Sequence, residues 1–153
     1  MSILILALLI GVIAGLRAMT APTAVAFFAW YGSLALAGTP LAFMGYAWTP
    51  WVFGILALGE LVTDQLPSTP SRKVPVQFGA RIAMGALAGA SLGAASGALI
   101  GGLALGVIGA VLGTWGGAAA RGRLASAFGS DRPAALLEDG VAILGAILIG
   151  IAA

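Results

Sequence analysis

The chain contains no cysteine and no histidine among its 153 residues. The first absence excludes disulfides, thiolate nucleophiles and cysteine metal ligands, and the second excludes imidazole acid–base chemistry and histidine metal ligation. Charge is also scarce, since only 8% of the residues are charged, against about 25% in an ordinary soluble domain. The net charge of +2 comes without a long basic run, so the sequence does not favour nucleic-acid binding.

Common enzyme motifs are missing as well. The chain has no P-loop and no HExxH sequence. We therefore predict neither an enzymatic activity nor a cofactor, and the sequence leaves open whether a metal binds.

Apolar residues dominate what is present. They make up 61% of the chain, which is more than a water-soluble core of this size could bury. Since a helix that crosses the bilayer needs about 20 apolar residues, the length allows about six spans. We predict an all-α integral membrane protein with a single domain, 1–153. The first ten residues lack the basic region of a signal peptide, so we expect a retained first span.

Breaks in the apolar pattern predict the spans. Two polar loops, 67–78 and 121–133, separate the longer runs, and a tight turn is expected at 100–102. Spans 4 and 5 lie on either side of that turn, with span 4 starting near Arg81. The other four spans are predicted at 2–16, 23–37, 49–66 and 134–151.

The first two predicted spans are short, which leaves two interpretations. Either the helices are tilted and thin the bilayer locally, or residues 17–22 form a break within the membrane. Non-helical backbone at that depth is tolerated only where protein or a watery cavity covers it.

Glycines recur at every fourth position of the fourth predicted span. A helix with this spacing has a groove without side chains, which lets a neighbouring helix approach closely. The alternative is a ligand or a lipid tail in the groove. Because these faces exceed what one small bundle needs, we also expect a homo-oligomer. The glycines are Gly85, Gly89, Gly93, Gly97 and Gly101, followed by Gly109, Gly113 and Gly117.

The basic residues predict the orientation. With six spans, all seven lie on one side, and the positive-inside rule makes that side cytoplasmic. Both termini then lie on the outer side of a bacterial inner membrane. Five aromatic residues form the opposite belt: Trp30, Tyr31, Tyr46, Trp48 and Trp51. The basic residues are Arg17, Arg72, Lys73, Arg81, Arg121, Arg123 and Arg132.

A weak internal similarity suggests two inverted three-helix halves, as in many transporters. The sequence GVIAG at 11–15 resembles GALAG at 85–89. The same offset pairs Asp64 with Glu138, but both lie on the predicted cytoplasmic side. Exact inversion would place them on opposite sides, so the symmetry does not extend to the acids.

Five charged residues are the main candidates for a site. Glu60 and Asp64 are four residues apart and share one helix face, Glu138 and Asp139 lie in the first turns of the last span, and Arg17 ends the first span. In one interpretation they are ion-paired helix ends that fix the packing. In the other they line a cavity that binds a cation, a proton or a polar head group.

Hydroxyl groups beside arginines form a second candidate. Hydroxyls together with arginine can hold a phosphate or a lipid head group. The alternative is a pair of helix-capping turns. The residues are Thr20, Thr23, Thr69, Ser71 and Arg72.

Four sequence stretches resemble a bacterial family of small multi-pass membrane proteins that is classified as a domain of unknown function. They are GLRAMTAPTAVAF at 15–27, LGELVTDQLPSTPSR at 58–72, ARIAMGALAGASLG at 80–93 and LLEDGVAI at 136–143. The resemblance covers essentially the whole chain. It implies a helical membrane protein with the five charged candidates in its defining motifs, and it implies no substrate.

Three functions are compatible with these features. The first is a small transporter or channel-like protein for an ion or a small polar solute, with a cytoplasmic-side site formed by the charged residues. The second is an accessory subunit or assembly factor of a larger membrane complex. An intramembrane enzyme acting on lipid comes third. The expected partners are the bilayer and either further copies of the chain or other membrane subunits.

Overall fold

The computed structural model describes residues 1–66, 68 and 71–153. Pro67, Thr69 and Pro70 lie outside the described residues, and with them the predicted Thr69 contact. The described part is all-α, as predicted, with six α-helices and one short 3₁₀ turn. The helices are α1 (Ile3–Leu16), α2 (Thr20–Trp30), α3 (Thr49–Thr63), α4 (Pro75–Ala95), α5 (Leu99–Phe128) and α6 (Asp131–Ala152), with the 3₁₀ turn at Ala42–Gly45.

Three of these helices are long and apolar enough to cross a membrane. They are α4, α5 and α6, with 21, 30 and 22 residues. α1 and α3 are apolar but shorter, and α2 has only 11 residues. The fold therefore fits a membrane protein, while the six-span topology and the inverted halves remain predictions.

Several predicted boundaries were wrong. α2 ends at Trp30 instead of continuing to residue 37, and turns follow it. α4 begins at Pro75, in the predicted 67–78 loop, because proline fits the first position of a helix. The turn between α4 and α5 lies at 96–98 and not at 100–102. There Gly97 adopts a φ of +77°, which side-chain-bearing residues rarely adopt.

The predicted 121–133 loop was also wrong. α5 continues through Arg121 and Arg123 to Phe128, so only Gly129 and Ser130 separate it from α6. Gly129 ends α5 in the left-handed conformation, which is a common C-terminal cap. All three arginines of the predicted loop therefore belong to helices, Arg121 and Arg123 to α5 and Arg132 to α6.

α1, α4 and α5 form the best-packed part of the bundle. A Cβ atom on Gly106 of α5 would collide with the carbonyl oxygen of Gly85 on α4, and one on Gly109 would collide with the carbonyl oxygen of Leu8 on α1. At these crossings backbone lies directly against backbone. The contacts run in register along α1 and α5, from Gly11 and Gly106 to Gly15 and the 110–114 segment, so the two helices are parallel.

α3 lies at the edge of the bundle. Its main contacts are with α2 and the 3₁₀ turn, and only Thr49, Pro50 and Ala57 of its residues are buried. An apolar groove of about 410 Å³ separates it from α6, with Thr20, Phe27 and other α2 residues at its floor. α3 is therefore the least firmly packed of the longer helices.

Aromatic rings gather at the end of the bundle where α2 ends. The ring of Trp51 lies 5.5 Å from that of Phe27 and 6.0 Å from that of Trp30, and Tyr31 contacts both α2 rings. Tyr46 and Trp48 form a separate pair at 6.2 Å. Three of the five predicted belt residues thus lie in one aromatic cluster.

Candidate functional site

The tight turn between α1 and α2 forms the floor of the candidate site. α1 ends at Leu16, and α2 begins at Thr20 after only Arg17, Ala18 and Met19. The break proposed for residues 17–22 is therefore shorter than predicted, since Thr20, Ala21 and Pro22 form the first turn of α2. Arg17 is completely buried at this turn.

The guanidinium of Arg17 contacts carboxylates from two other helices. Its Nε donates to Asp139 Oδ1 of α6 at 2.5 Å, and its Nη1 donates to Asp64 Oδ2 at the end of α3 at 2.7 Å. The Glu138 Oε2 atom lies 3.9 Å from Nη1. A buried charge in an apolar bundle is tolerated when it is paired in this way.

Glu60 of α3 closes the beginning of α2. Its Oε1 accepts a hydrogen bond from the Ala18 backbone N–H at 2.7 Å, and its Oε2 accepts one from the Met19 backbone N–H at 2.8 Å. These N–H groups have no partner within the helix, and the helix N-terminus favours a negative charge. Glu60 therefore caps α2 from a different helix.

Arg81 of α4 donates hydrogen bonds to the last backbone carbonyls of α1. Its Nη1 donates to the backbone oxygens of Gly15 at 2.9 Å and Leu16 at 2.7 Å. Its Nη2 lies 3.9 Å from Glu60 Oε1 and 3.7 Å from Asp64 Oδ2. From the sequence, Arg81 was expected only to mark the cytoplasmic side and the start of the fourth span. The signal that could have identified it is a charge inside a membrane-length helix.

Glu138 of α6 is surrounded by three arginines. Arg72 forms a bidentate pair with it, in which Nη2 donates to Oε2 at 2.8 Å and Nη1 contacts Oε1. Arg121 of α5 donates from Nη1 to Oε2 at 3.4 Å, and Arg17 lies on the other side. Arg72, assigned from the sequence to a polar or head-group contact, is therefore engaged with a carboxylate.

Two further groups extend the network toward solvent. Arg121 donates from Nε and Nη2 to the exposed Asp131 carboxylate at 3.0 and 2.6 Å. The Gln65 side-chain amide donates to Asp139 Oδ2 at 3.0 Å. Arg121 and Gln65 were missed because the sequence analysis placed one in a loop and gave the other no role.

The structure thus gathers all five predicted charged residues, Arg17, Glu60, Asp64, Glu138 and Asp139, into one cluster. Each of the five carboxylates of the chain contacts at least one arginine. In the described part of the chain, Lys73, Arg123 and Arg132 have no ion pair, although the Lys73 ammonium lies 5.0 Å from the centre of the Trp115 ring. No described group of histidine, cysteine, aspartate and glutamate side chains is arranged to hold a metal ion.

Of the predicted hydroxyl residues, the three that the structure describes, Thr20, Thr23 and Ser71, form no hydrogen bond with this cluster. The Thr23 hydroxyl donates to the Met19 backbone oxygen at 2.6 Å, one turn earlier in α2. The Ser71 hydroxyl accepts from the Lys73 backbone N–H at 3.3 Å. Thr20 lies with Thr23 along the apolar groove. The Thr23 bond is the usual bond of a helical threonine to the carbonyl four residues earlier, and the Ser71 bond is that of a serine turn.

A smaller cavity reaches the cluster from between α5 and α6. Its volume is about 260 Å³. Apolar side chains such as Leu16, Leu137 and Val141 form its walls, and Arg121 and Glu138 supply its charged groups.

One hydrolase-like pattern was overlooked in the sequence. Residues 89–93, GASLG, match the letters of the GxSxG nucleophile motif. Ser91 lies in the middle of α4, is fully buried, and donates to the Leu87 backbone oxygen at 2.8 Å. The motif requires a sharp turn from strand to helix that exposes the serine, and this position has neither feature.

Comparisons of the chain with protein-family models, with curated proteins and with solved structures find no match. The resemblance to a family of small membrane proteins therefore stays a prediction that depends on the four sequence stretches.

Proposed function

We propose that this chain is a small membrane transport protein that binds an ion or a small polar solute at the charged cluster. The observation that carries the proposal is the complete burial of Arg17 at a helical turn, among carboxylates from α3 and α6. Ionisable residues inside apolar helix bundles are costly, and where they occur they commonly mark pathways for ions or substrates.

Helix lengths support a location of the cluster inside the membrane. α1, with 14 residues, and α2, with 11, extend about 21 and 16 Å at 1.5 Å per residue. The hydrocarbon layer is about 30 Å thick. A hairpin this short that starts at one face does not reach the other, so its turn would lie within the hydrocarbon layer.

The longer helices continue past the cluster and would form a vestibule above it. Arg81 lies about 9 Å from the beginning of α4, and Glu138 about 10 Å from the beginning of α6, at the helical rise per residue. α5 continues about 16 Å beyond Gly117, which lies beside Glu138. Such a vestibule would give solutes from one side access to the buried charges.

The way in which α3 is attached supports a transport mechanism in which this helix moves. Beyond its contacts with α2 and the 3₁₀ turn, its end is held by Glu60 and Asp64 through hydrogen bonds and ion pairs with Arg17 and the α2 N-terminus. A solute that competes for these bonds would release the helix from the cluster. Binding and movement of α3 would then be coupled.

The distribution of basic residues supports the predicted orientation. Arg17 directly follows α1, and Arg121 and Arg123 lie near the end of α5. Lys73 lies just before α4, and Arg132 lies in the first turn of α6. Contacts of Arg72 and Arg121 with Glu138 join these ends. If this end faces the cytoplasm of a bacterium, both termini lie on the outer side of the inner membrane.

Transport is tested with the purified protein in liposomes. The vesicles carry dyes or tracers for protons, sodium, potassium, chloride and phosphate. We expect one flux with the wild type and its loss in the double variant Glu60→Gln/Asp64→Asn. The control is Asp131→Asn, which removes the one strongly exposed carboxylate and should retain the flux. A flux that persists unchanged in a folded double variant, or no flux from the wild type, would refute the proposal.

A second candidate function is that of an accessory subunit. The observation that favours it is that every carboxylate in the cluster already has an arginine partner. Such pairing is expected if the charged residues only hold the helices together. The native mass of the protein, extracted gently from its own membrane, separates the two functions. A mass shared with other subunits favours the accessory role, and a partner-free monomer or homo-oligomer favours transport.

A further inference from the structure

The cavity between α5 and α6 combines apolar walls with two charged side chains, those of Arg121 and Glu138. Leu16, Leu137 and Val141 are among its apolar residues. Both charged residues line the cavity, and the Glu138 side chain is only 7% exposed. An apolar pocket with a few convergent polar groups is the usual form of a small-ligand site.

The charges around this cavity favour an anionic ligand. Three arginines point to the single Glu138 carboxylate: Arg72 at 2.8 Å, Arg121 at 3.4 Å and Arg17 at 3.9 Å. A cation would find no unoccupied carboxylate, because all five already contact arginines. An anion would find guanidinium groups whose present partner is a carboxylate of the chain itself.

The more distant charges at this end of the bundle also favour an anionic ligand. Lys73, Arg123 and Arg132 lie at this end of the bundle and, within the described residues, have no ion pair that would cancel their charge. Unpaired charges of one sign around a cleft raise the local concentration of ligands of the opposite sign.

We propose that the cluster binds an oxyanion, either a carboxylate or a phosphate, which enters between α5 and α6 and replaces Glu138 as the partner of Arg72 and Arg121. This inference rests on the proposed transport function, because it names the substrate class of the same site. Arginine forms bidentate bonds with carboxylate and phosphate alike, so a soluble anion and the head group of an anionic lipid share the required chemistry.

Anion-dependent stability of Glu138→Gln provides the test. The variant lacks the negative charge that pairs with Arg72 and Arg121. An added anion should therefore bind the variant more tightly than the wild type. In nanodiscs of neutral phosphatidylcholine, we expect saturating sodium phosphate to raise its melting temperature by about 5 °C, with a smaller rise for the wild type. Asp131→Asn removes the exposed carboxylate from Arg121 but leaves Arg72 paired with Glu138, so its rise should be smaller than that of Glu138→Gln. Replacing sodium by choline should not change the result.

Nanodiscs containing phosphatidylglycerol distinguish the two sources of the anion. A rise with phosphate in neutral nanodiscs supports a soluble anion, and a rise only with phosphatidylglycerol supports a lipid head group. No rise from either anion in Glu138→Gln would overturn the proposal. An equal rise in the double variant Glu138→Gln/Arg121→Gln would overturn it as well.

A second measurement applies if Glu138→Gln does not fold. Phosphate binding is then measured by calorimetry for Arg121→Gln and Arg123→Gln, which lose the same charge from the same helix. We expect about a tenfold weaker binding for Arg121→Gln and little change for Arg123→Gln, since one hydrogen bond between charged groups contributes about that much. Equal affinities would contradict the site.

Failure of this inference is distinguishable from failure of the transport proposal. Anion-dependent stability without any flux would contradict transport and retain the anion site. Flux of a cation, with no effect of either anion on stability, would contradict the anion site and retain transport.

Discussion

The α1–α4–α5 core and the peripheral helix α3 are held in opposite ways. In the core, glycines bring backbone against backbone, as where Gly106 meets Gly85 and Gly89. α3 instead has few buried residues and reaches the cluster through the carboxylates of Glu60 and Asp64. Close packing permits one geometry, whereas hydrogen bonds and ion pairs can exchange partners. From this comparison we expect a rigid scaffold and one helix, α3, that can move.

Replacing Arg17 should produce the largest loss of stability. Arg17→Gln leaves Asp64 and Asp139 buried without their shared partner, and breaking a buried ion pair from one side costs about 3–5 kcal/mol. Denaturant titration in mixed micelles measures the free energy of unfolding. The control is Arg132→Gln, which removes an exposed arginine without an ion pair. Equal stabilities for the two variants would show that the cluster does not hold the helices together.

A methyl group in the glycine core should have the next largest effect. Gly106→Ala places a Cβ atom against the carbonyl oxygen of Gly85, and the backbone cannot move aside locally. We expect a loss of about 3 kcal/mol, at the upper end of overpacking effects. Gly122→Ala on the same helix is the control, since nothing lies within 4 Å of a Cβ there. Similar unfolding curves for both variants would contradict the tight α4–α5 packing.

The smallest effect should come from the link between α3 and α2. Glu60→Gln retains one acceptor oxygen and loses the other, so one of the two α2 backbone N–H groups loses its partner. We expect a loss of about 1.5 kcal/mol, the scale of one hydrogen bond to a charged group. Asp131→Asn, at an exposed ion pair, should change stability by less than about 1 kcal/mol. A larger loss from Asp131→Asn would contradict the account.

The sequence was sufficient to predict the class of fold and the charged cluster. Apolar runs predict helices, and the few charged residues in or beside such runs are expected to be buried. Five charged residues were identified in this way, and the structure brings them together: Arg17, Glu60, Asp64, Glu138 and Asp139. The physical reason is that an unpaired charge among apolar helices is too costly, which leaves few arrangements.

Helix ends and the remaining arginines were harder to predict. Gly97, Gly101 and Gly102 are all suited to a turn, and only packing against α1 and α4 decides that Gly97 forms it. Arg121 was assigned to a loop because charged residues and glycines surround it, yet the helix continues to Phe128. The role of Arg81 depends on the α1 backbone oxygens that it contacts, and a tertiary contact of this kind leaves no local sequence pattern.

Distances between spin labels in lipid nanodiscs test most directly whether the core is fixed and α3 moves. The chain has no cysteine, so each introduced pair is the only one labelled. One pair, at Ile5 and Ile108, reports on α1 and α5, and a second, at Leu56 and Leu144, reports on α3 and α6; all four side chains are exposed. We predict a narrow distance distribution for the first pair and a broad or two-peaked one for the second. Equally narrow distributions would contradict a movable α3.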